Sequence, residues 1–152
     1  MKKVLIDTCV IIDFLQKREP FADDALRFFR AVASELFTGY ITAKSATDIY
    51  YIDHKATHSD VESRKKLHSL LTIISMADSA AIDVFQALAS GISDFEDAVM
   101  AETAKRIGAD CIVTRNTKDY IKAAVPVCTP AEFLDDLFST DEELEENEPT
   151  TE

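Results

Sequence analysis

Lys3-Val4-Leu5-Ile6-Asp7-Thr8 is the stretch on which the reading of the chain turns. An apolar run that starts almost at the first residue ends on an acid. Val4–Ile6 is short, continuous and branched, the pattern of a strand buried on both faces. Asp7 then stands at the carboxyl end of that strand. In open parallel α/β sheets this edge is where ligands and catalytic groups gather. The competing reading makes Asp7 the cap of the helical stripe that follows over Cys9–Gln16, with Val10, Ile11, Phe14 and Leu15 on one side.

Working outward, Phe21, Ala25, Phe28, Phe29, Val32 and Leu36 recur at helical spacing and predict a long amphipathic helix whose aromatic side is core. Gly39 is expected to end it. Tyr40–Thr42 reads as a second strand, and Thr42 caps a helix over Ala43–Asp53 that carries Asp48. Asp48 sits beside Ile49 and Ile52, so it is either on the wet side of that helix or turned into a polar site. Ser59-x-x-Glu62 is a capping box. Arg64-Lys65-Lys66 on the helix it opens form a solvated face or meet phosphates.

A third strand is expected over Ile73–Met76. Asp78 or Ser79 then caps a helix through Leu88, closed by Gly91 as a left-handed terminator. Ser93 or Asp94 caps Phe95–Ile107, and Gly108 ends it. Ala109–Thr114 is the clearest later strand, with a polar loop, Arg115–Tyr120, at its carboxyl end. A strand around Val125–Cys128 and a last helix, Pro130–Phe138, complete a domain of residues 1–138. Residues 139–152, acidic and without apolar periodicity, read as a disordered tail.

The 152 residues fit one domain plus that tail, and a hydrophobic content of 47% supplies a core. No apolar run reaches the roughly 18–20 residues of a membrane helix, and Asp7 interrupts the first one too early for a signal-peptide core. Cys9, Cys111 and Cys128 are odd in number, widely spaced and in apolar contexts. They fit small buried hydrophobes in a reducing compartment, so a cytoplasmic location is expected. The formal charge is −12, but seven of the acids fall in residues 139–152, which leaves −5 for residues 1–138. Net charge therefore does not exclude RNA; local patches decide that.

Alternating strands and helices predict a parallel α/β sheet of four or five strands. Its carboxyl edge gathers Asp7, Asp48, Asp94 and Asp97, and Asn116 with Asp119. Carboxylates that converge without a compensating lysine need a hard cation, and Mg²⁺ or Mn²⁺ prefers oxygen ligands. No G-x-x-x-x-G-K-[ST] or G-x-G-x-x-G loop is present, and no Ser–His–acid or Cys–His grouping. His54 and His58, four apart, lack the acid that a zinc-protease motif would place between them.

V-L-I-D-T-C-V-I-I-D-F, I-T-A-K-S-A-T-D-I and D-F-E-D-A-V-M-A-E-T-A-K-R-I-G-A-D-C-I-V-T-R-N-T-K-D-Y resemble the PIN domain (PilT N-terminus) nucleases, which include the VapC toxins of toxin–antitoxin pairs. The resemblance covers about residues 3–138. It implies a three-layer sandwich around the parallel sheet and a Mg²⁺- or Mn²⁺-dependent endoribonuclease that cleaves RNA phosphodiesters by in-line attack of activated water. It also implies that Asp7 and Asp97 anchor the metal. Asp48, where the family usually has Glu, and either Asn116 or Asp119 would bind a second metal or orient water. Thr8 and Thr114 are supporting polar groups, and Asp94 is a cap or an outer ligand. Lys44, Lys55, Arg115 and Lys118 are the basic residues nearest the site in sequence, hence candidates for the RNA backbone. A small antitoxin protein and a homodimer are the partners implied.

Two other readings compete. An Asp after a first strand also opens aspartyl phosphatases, but those carry a second acid two residues on, where this chain has Cys9. A PIN fold weakened by Asp48 and Asn116 would instead serve as an interaction module.

Overall fold

The computed structural model describes residues 1–146. Five strands form one parallel sheet: β1 (Lys3–Ile6), β2 (Thr38–Thr42), β3 (Ser75–Ala77), β4 (Cys111–Val113) and β5 (Val127–Cys128). Their order is β3-β2-β1-β4-β5, and every neighbouring pair is parallel. Among the described residues seven α-helices surround it: α1 (Thr8–Leu15), α2 (Ala22–Ala33), α3 (Ala43–Thr57), α4 (Asp60–Leu70), α5 (Ala81–Leu88), α6 (Phe95–Arg106) and α7 (Pro130–Glu146).

The two-residue period of a strand divides the core into two halves. Val4, Ile6, Cys111 and Val113 point to one face, where Phe28, Phe29, Phe37 and Phe133 pack. Leu5 and Ile112 point to the other, against Met100, Ala101, Ala104 and Tyr120. Val4, Leu5 and Ile6 are all 0% exposed, as a central strand covered on both sides requires. Helices on both faces make the expected three-layer sandwich.

Beta1 lies between β2 and β4, so the strand order reverses direction there. A crevice opens at the carboxyl ends of strands that flank such a switch point. Asp7 follows β1 and Thr114 follows β4, which puts both at that crevice.

Several local expectations are corrected. Gly39 does not end α2; Glu35, at φ +59°, turns the chain after Ala33. Gly39 lies inside β2, where a Cβ would come within 2.9 Å of Ile6 Cδ1 and 3.2 Å of Val32 Cγ2, so close approach of β2 to its neighbours demands glycine. Gly91 is no left-handed terminator, since only Gly108 among the glycines has positive φ. Helix α5 is not capped by Asp78 or Ser79: Ala80 holds the cap position, and the Asp83 carboxylate accepts its N–H at 3.1 Å. The last helix does not stop at Phe138 but continues to Glu146. Leucine and glutamate there sustain a helix, and the Ser139 and Thr140 hydroxyls donate back to the carbonyls of Asp135 and Asp136. The rest of the expected disordered tail, 147–152, lies outside the described residues.

Candidate metal centre

Asp7 occupies the cap position of α1, yet its carboxylate makes no cap bond. Asp7 Oδ2 instead accepts from Thr114 Oγ1 at 2.8 Å and from the Tyr120 hydroxyl at 3.3 Å. The same hydroxyl reaches Asp97 Oδ1 at 3.0 Å. Tyr120 is 1% exposed and comes from a short 3-10 turn, Thr117–Tyr120, after β4. Three places far apart in sequence thus meet through one phenol: the residue after β1 is Asp7, α6 gives Asp97, and the turn after β4 gives Tyr120.

Asp94 is the cap of α6; its Oδ1 accepts the Asp97 N–H at 2.9 Å. That bond pins the first turn of α6 and so places the Asp97 side chain. Thr114 has a second role: its Oγ1 accepts the Asn116 N–H at 3.1 Å and lies 3.6 Å from Cys9 Sγ. It thereby ties the loop after β4 to the end of β1.

No lysine or arginine pairs with Asp7 or Asp97 among the described residues, and their proton affinities reflect this. Burial raises the Asp97 carboxyl to about 6; the Tyr120 hydroxyl opposes the shift, while the charges of Asp7, Asp94 and Asp119 add to it. Burial also raises Asp7, against the pull of Thr114, Tyr120 and the Thr8 backbone amide. Tyr120 is pushed far above an ordinary phenol by burial and then by the two acids, so it is a hydroxyl donor at any physiological pH. A phenol has one proton to give. It bonds to one carboxylate at a time, and the pair of acids keeps an uncompensated repulsion that a cation relieves.

The remaining expected residues fall in different places. Asp119 is exposed on the turn, and its charge is felt at Asp97. Asn116 is exposed, with its backbone N–H on Thr114. Asp48 is ion-paired: Lys44 Nζ sits 2.6 Å from its Oδ2 and 2.9 Å from Glu96 Oε1. Burial lowers the Lys44 ammonium, but its bonds to Asp48 and Glu96 outweigh that and raise it. Arg115 is occupied as well. Its Nε donates to Asp13 Oδ2 at 2.8 Å, its Nη2 lies 3.3 Å from Asp13 Oδ1, and its guanidinium stacks 4.3 Å from the Phe21 ring centroid. Lys55 and Lys118 are exposed, and no ion pair holds them among the described residues.

Sequence reasoning missed Tyr120, Asp13 and Glu96. Asp13 carried a signal, an acid inside the apolar stripe of α1 beside Ile11 and Ile12. Tyr120 carried none beyond being aromatic at a loop end.

Among the described residues no three His, Cys, Asp or Glu side chains stand close enough to form a ready-made cage. That does not conflict with Mg²⁺ or Mn²⁺. These ions are held by one or two carboxylates plus waters and substrate phosphates. Asp7 and Asp97, hard oxygen donors without a cationic partner, fit such an ion.

A parallel sheet with an acid pair at its switch point defines a class of α/β proteins with a carboxylate-built site. The family can be stated as well: the PIN domain family model matches residues 3–118, and the chain belongs to that family. Solved structures share the fold. VapBC2 from Rickettsia felis, bound to a DNA fragment from its promoter, aligns with a TM-score of 0.64 at 17% identity over 84% of this chain and 98% of that one. FitAcB from Neisseria gonorrhoeae gives 0.63 and 20% over 84% and 98%. A toxin–antitoxin complex from Klebsiella pneumoniae gives 0.61 and 22% over 84% and 97%. No curated protein matches the chain. No helix among the described residues is long and apolar enough to cross a membrane.

Proposed function

We propose that this protein is a divalent-metal-dependent endoribonuclease, the toxin of a toxin–antitoxin pair, with Asp7 and Asp97 as metal ligands. The observation that carries this is the acid pair itself: two carboxylates joined through the Tyr120 hydroxyl, at the switch point, without a cation of the protein's own. Asp119 is the better candidate than Asn116 for the next acid, because its charge acts on Asp97. Toxin–antitoxin complexes among proteins of this fold support a small protein antitoxin and an assembly of more than one copy as partners.

A bound Mg²⁺ or Mn²⁺ supplies Lewis-acid polarisation of a phosphoryl oxygen and activates water. The chain's own groups do the rest. Thr114 and Tyr120 orient the two ligand carboxylates. Asp94 fixes Asp97 through the helix cap. Asp119, on the exposed turn, is the group proposed to orient water or a further ion. Of the four cations considered for the RNA backbone, Lys55 and Lys118 have no ion pair among the described residues and are the ones proposed to meet it, whereas Arg115 holds the loop to α1.

The test is Mn²⁺-dependent cleavage of RNA by the wild type, reduced at least 100-fold in both Asp7→Asn and Asp97→Asn, on the order of what loss of a principal electrostatic group costs. Equal activity in all three proteins contradicts the proposal. Expression of the wild type is also expected to arrest bacterial growth, and expression of Asp7→Asn is not.

One observation favours the second reading, a PIN-fold interaction module: the Lys44–Asp48 ion pair takes up the acid that the family would use as a ligand. Absence of Mn²⁺-dependent cleavage together with retained partner binding in Asp7→Asn would favour it.

A further inference from the structure

We infer that Tyr51, on the exposed side of α3, is a stacking platform for an unpaired base of the RNA, so that the chain holds single-stranded rather than duplex substrate, with Lys55 beside it on the backbone. The inference rests on the reading of this protein as a ribonuclease and names the part of the substrate that the surface beyond the acid pair holds.

Charge singles out that surface. Residues 43–70, which span α3 and α4, hold five Lys or Arg against four Asp or Glu, and all three histidines of the chain; the remaining residues hold eleven against twenty-four. A polyanion is therefore repelled least along this helix pair. Three of its four acids are already matched: Asp48 by Lys44, Asp53 by Lys66 and Asp60 by Arg64. Lys55 is exposed, and no ion pair holds it among the described residues.

Tyr51 is 68% exposed, yet it is held in place. Its ring meets Tyr50 at right angles, with centroids 5.2 Å apart. Tyr50 is fixed in turn from both helices: its hydroxyl donates to Asp60 of α4, the Arg64 guanidinium lies 6.0 Å from its ring centroid, and His54 stacks on it at 5.7 Å. A tyrosine braced in this way offers a large rigid face at low entropic cost. Bases stack on such faces without regard to sequence. A base inside a duplex has its own faces covered by its neighbours, so only an unpaired one can be laid there.

The position suits a strand that passes the acid pair. Lys44 pairs with both Asp48 and Glu96, the residue before Asp97, so the first turn of α3 stands against the first turn of α6. Asp48, Tyr51 and Lys55 follow at helical spacing on one face of α3. At 1.5 Å per residue, Tyr51 lies about 10 Å along the helix from Lys44, and Lys55 about 6 Å beyond. A strand running from Asp97 along α3 reaches the tyrosine ring first and the free ammonium next.

The experiment is fluorescence anisotropy of the full chain, in EDTA at low salt, with labelled oligouridylate alone and annealed to oligoadenylate. Wild type is expected to bind the single strand more tightly than the duplex. Tyr51→Ala is expected to weaken single-strand binding at least about fivefold, the low end for removing one stacking side chain, and to leave duplex binding unchanged. Tyr51→Phe, which keeps the ring, is expected to stay within twofold of wild type. Cleavage of the single strand with Mn²⁺ is expected to show a raised KM and an unchanged kcat in Tyr51→Ala. Single-strand binding and KM within twofold of wild type in Tyr51→Ala overturn the inference and leave the nuclease reading intact, as does an equal loss for strand and duplex. A shift in oligomeric state of Tyr51→Ala with RNA binding kept assigns the ring to an interface with a second copy and also overturns it. A wild type that neither binds nor cleaves RNA overturns both.

Discussion

The acids of this chain are held in two ways, and the contrast separates scaffold from site. Asp83 and Asp13, 1% and 2% exposed, each face a guanidinium. Arg106 Nε lies 2.7 Å from Asp83 Oδ1, and Arg115 Nε lies 2.8 Å from Asp13 Oδ2. Asp7 and Asp97 face no guanidinium or ammonium among the described residues; their partners are the Thr114 and Tyr120 hydroxyls and, at Asp7, the Thr8 amide and the Cys9 thiol. A buried charge with a well-placed counter-charge and further hydrogen bonds is a staple: Asp83 joins α5 to Thr103 and Arg106 of α6, and Asp13 joins α1 to the loop after β4. An acid pair that shares one phenolic proton holds nothing together by itself. It persists because the fold forces it, and acids perturbed in this way mark a candidate functional site.

The contrast predicts opposite responses to mutation. Removing the cation from a staple strands a buried charge. Arg106→Ala is expected to cost about 3 kcal/mol, the range for breaking a buried pair from one side, read as a lowered urea midpoint. Arg115→Ala strands Asp13 and gives up the stack on Phe21. It is expected to cost about 2 kcal/mol, the scale of hydrogen bonds to a charged group, and also to weaken RNA cleavage by loosening the loop that bears Asp119. If either variant is as stable as wild type, the staple description is wrong.

Removing an acid from the site should do the reverse in metal-free protein. The folded-state pKa of Asp97, about 6, lies above its ordinary 3.8. The folded protein therefore holds this proton more tightly than the unfolded chain. The resulting stability is fully present below about pH 4 and is lost as pH rises through about 6. Without metal, wild type is expected to lose stability relative to Asp97→Asn across that window, followed as urea midpoints at a series of pH values. Parallel curves for the two proteins would deny the shift. The smallest effect is expected at the half-exposed Lys44–Asp48 pair, where Lys44→Ala should change stability by no more than about 0.5 kcal/mol.

The parts of this architecture that depend on neighbours in sequence were legible before the structure. The apolar run to Ile6 marked the central strand. Thr42 and Asp94 marked helix starts, and each makes the expected bond, to Ser45 N and to Asp97 N. Asp7 and Asp97 stood out as acids at the carboxyl edge, and the structure brings them to one hydroxyl. Contacts across the sheet were not legible. Arg115 finds Asp13 over 102 positions, and Tyr120 finds Asp7 over 113. Gly39 looked like a helix terminator, because the crowding by Ile6 and Val32 that explains it exists only in three dimensions. Asp48 is the instructive middle case. Its i,i+4 relation to Lys44 was present in the sequence, and the structure pairs the two at 2.6 Å.

Thermal unfolding with and without Mn²⁺ tests the distinction between paired and unpaired acids most directly. A ligand that binds only the folded state raises stability by about 2.7 kcal/mol at a hundred times its dissociation constant. Wild type and Lys44→Ala are expected to gain a clear rise in melting temperature with Mn²⁺, and the double variant Asp7→Asn/Asp97→Asn none. An equal rise in the double variant would contradict the assignment of the ion to this acid pair.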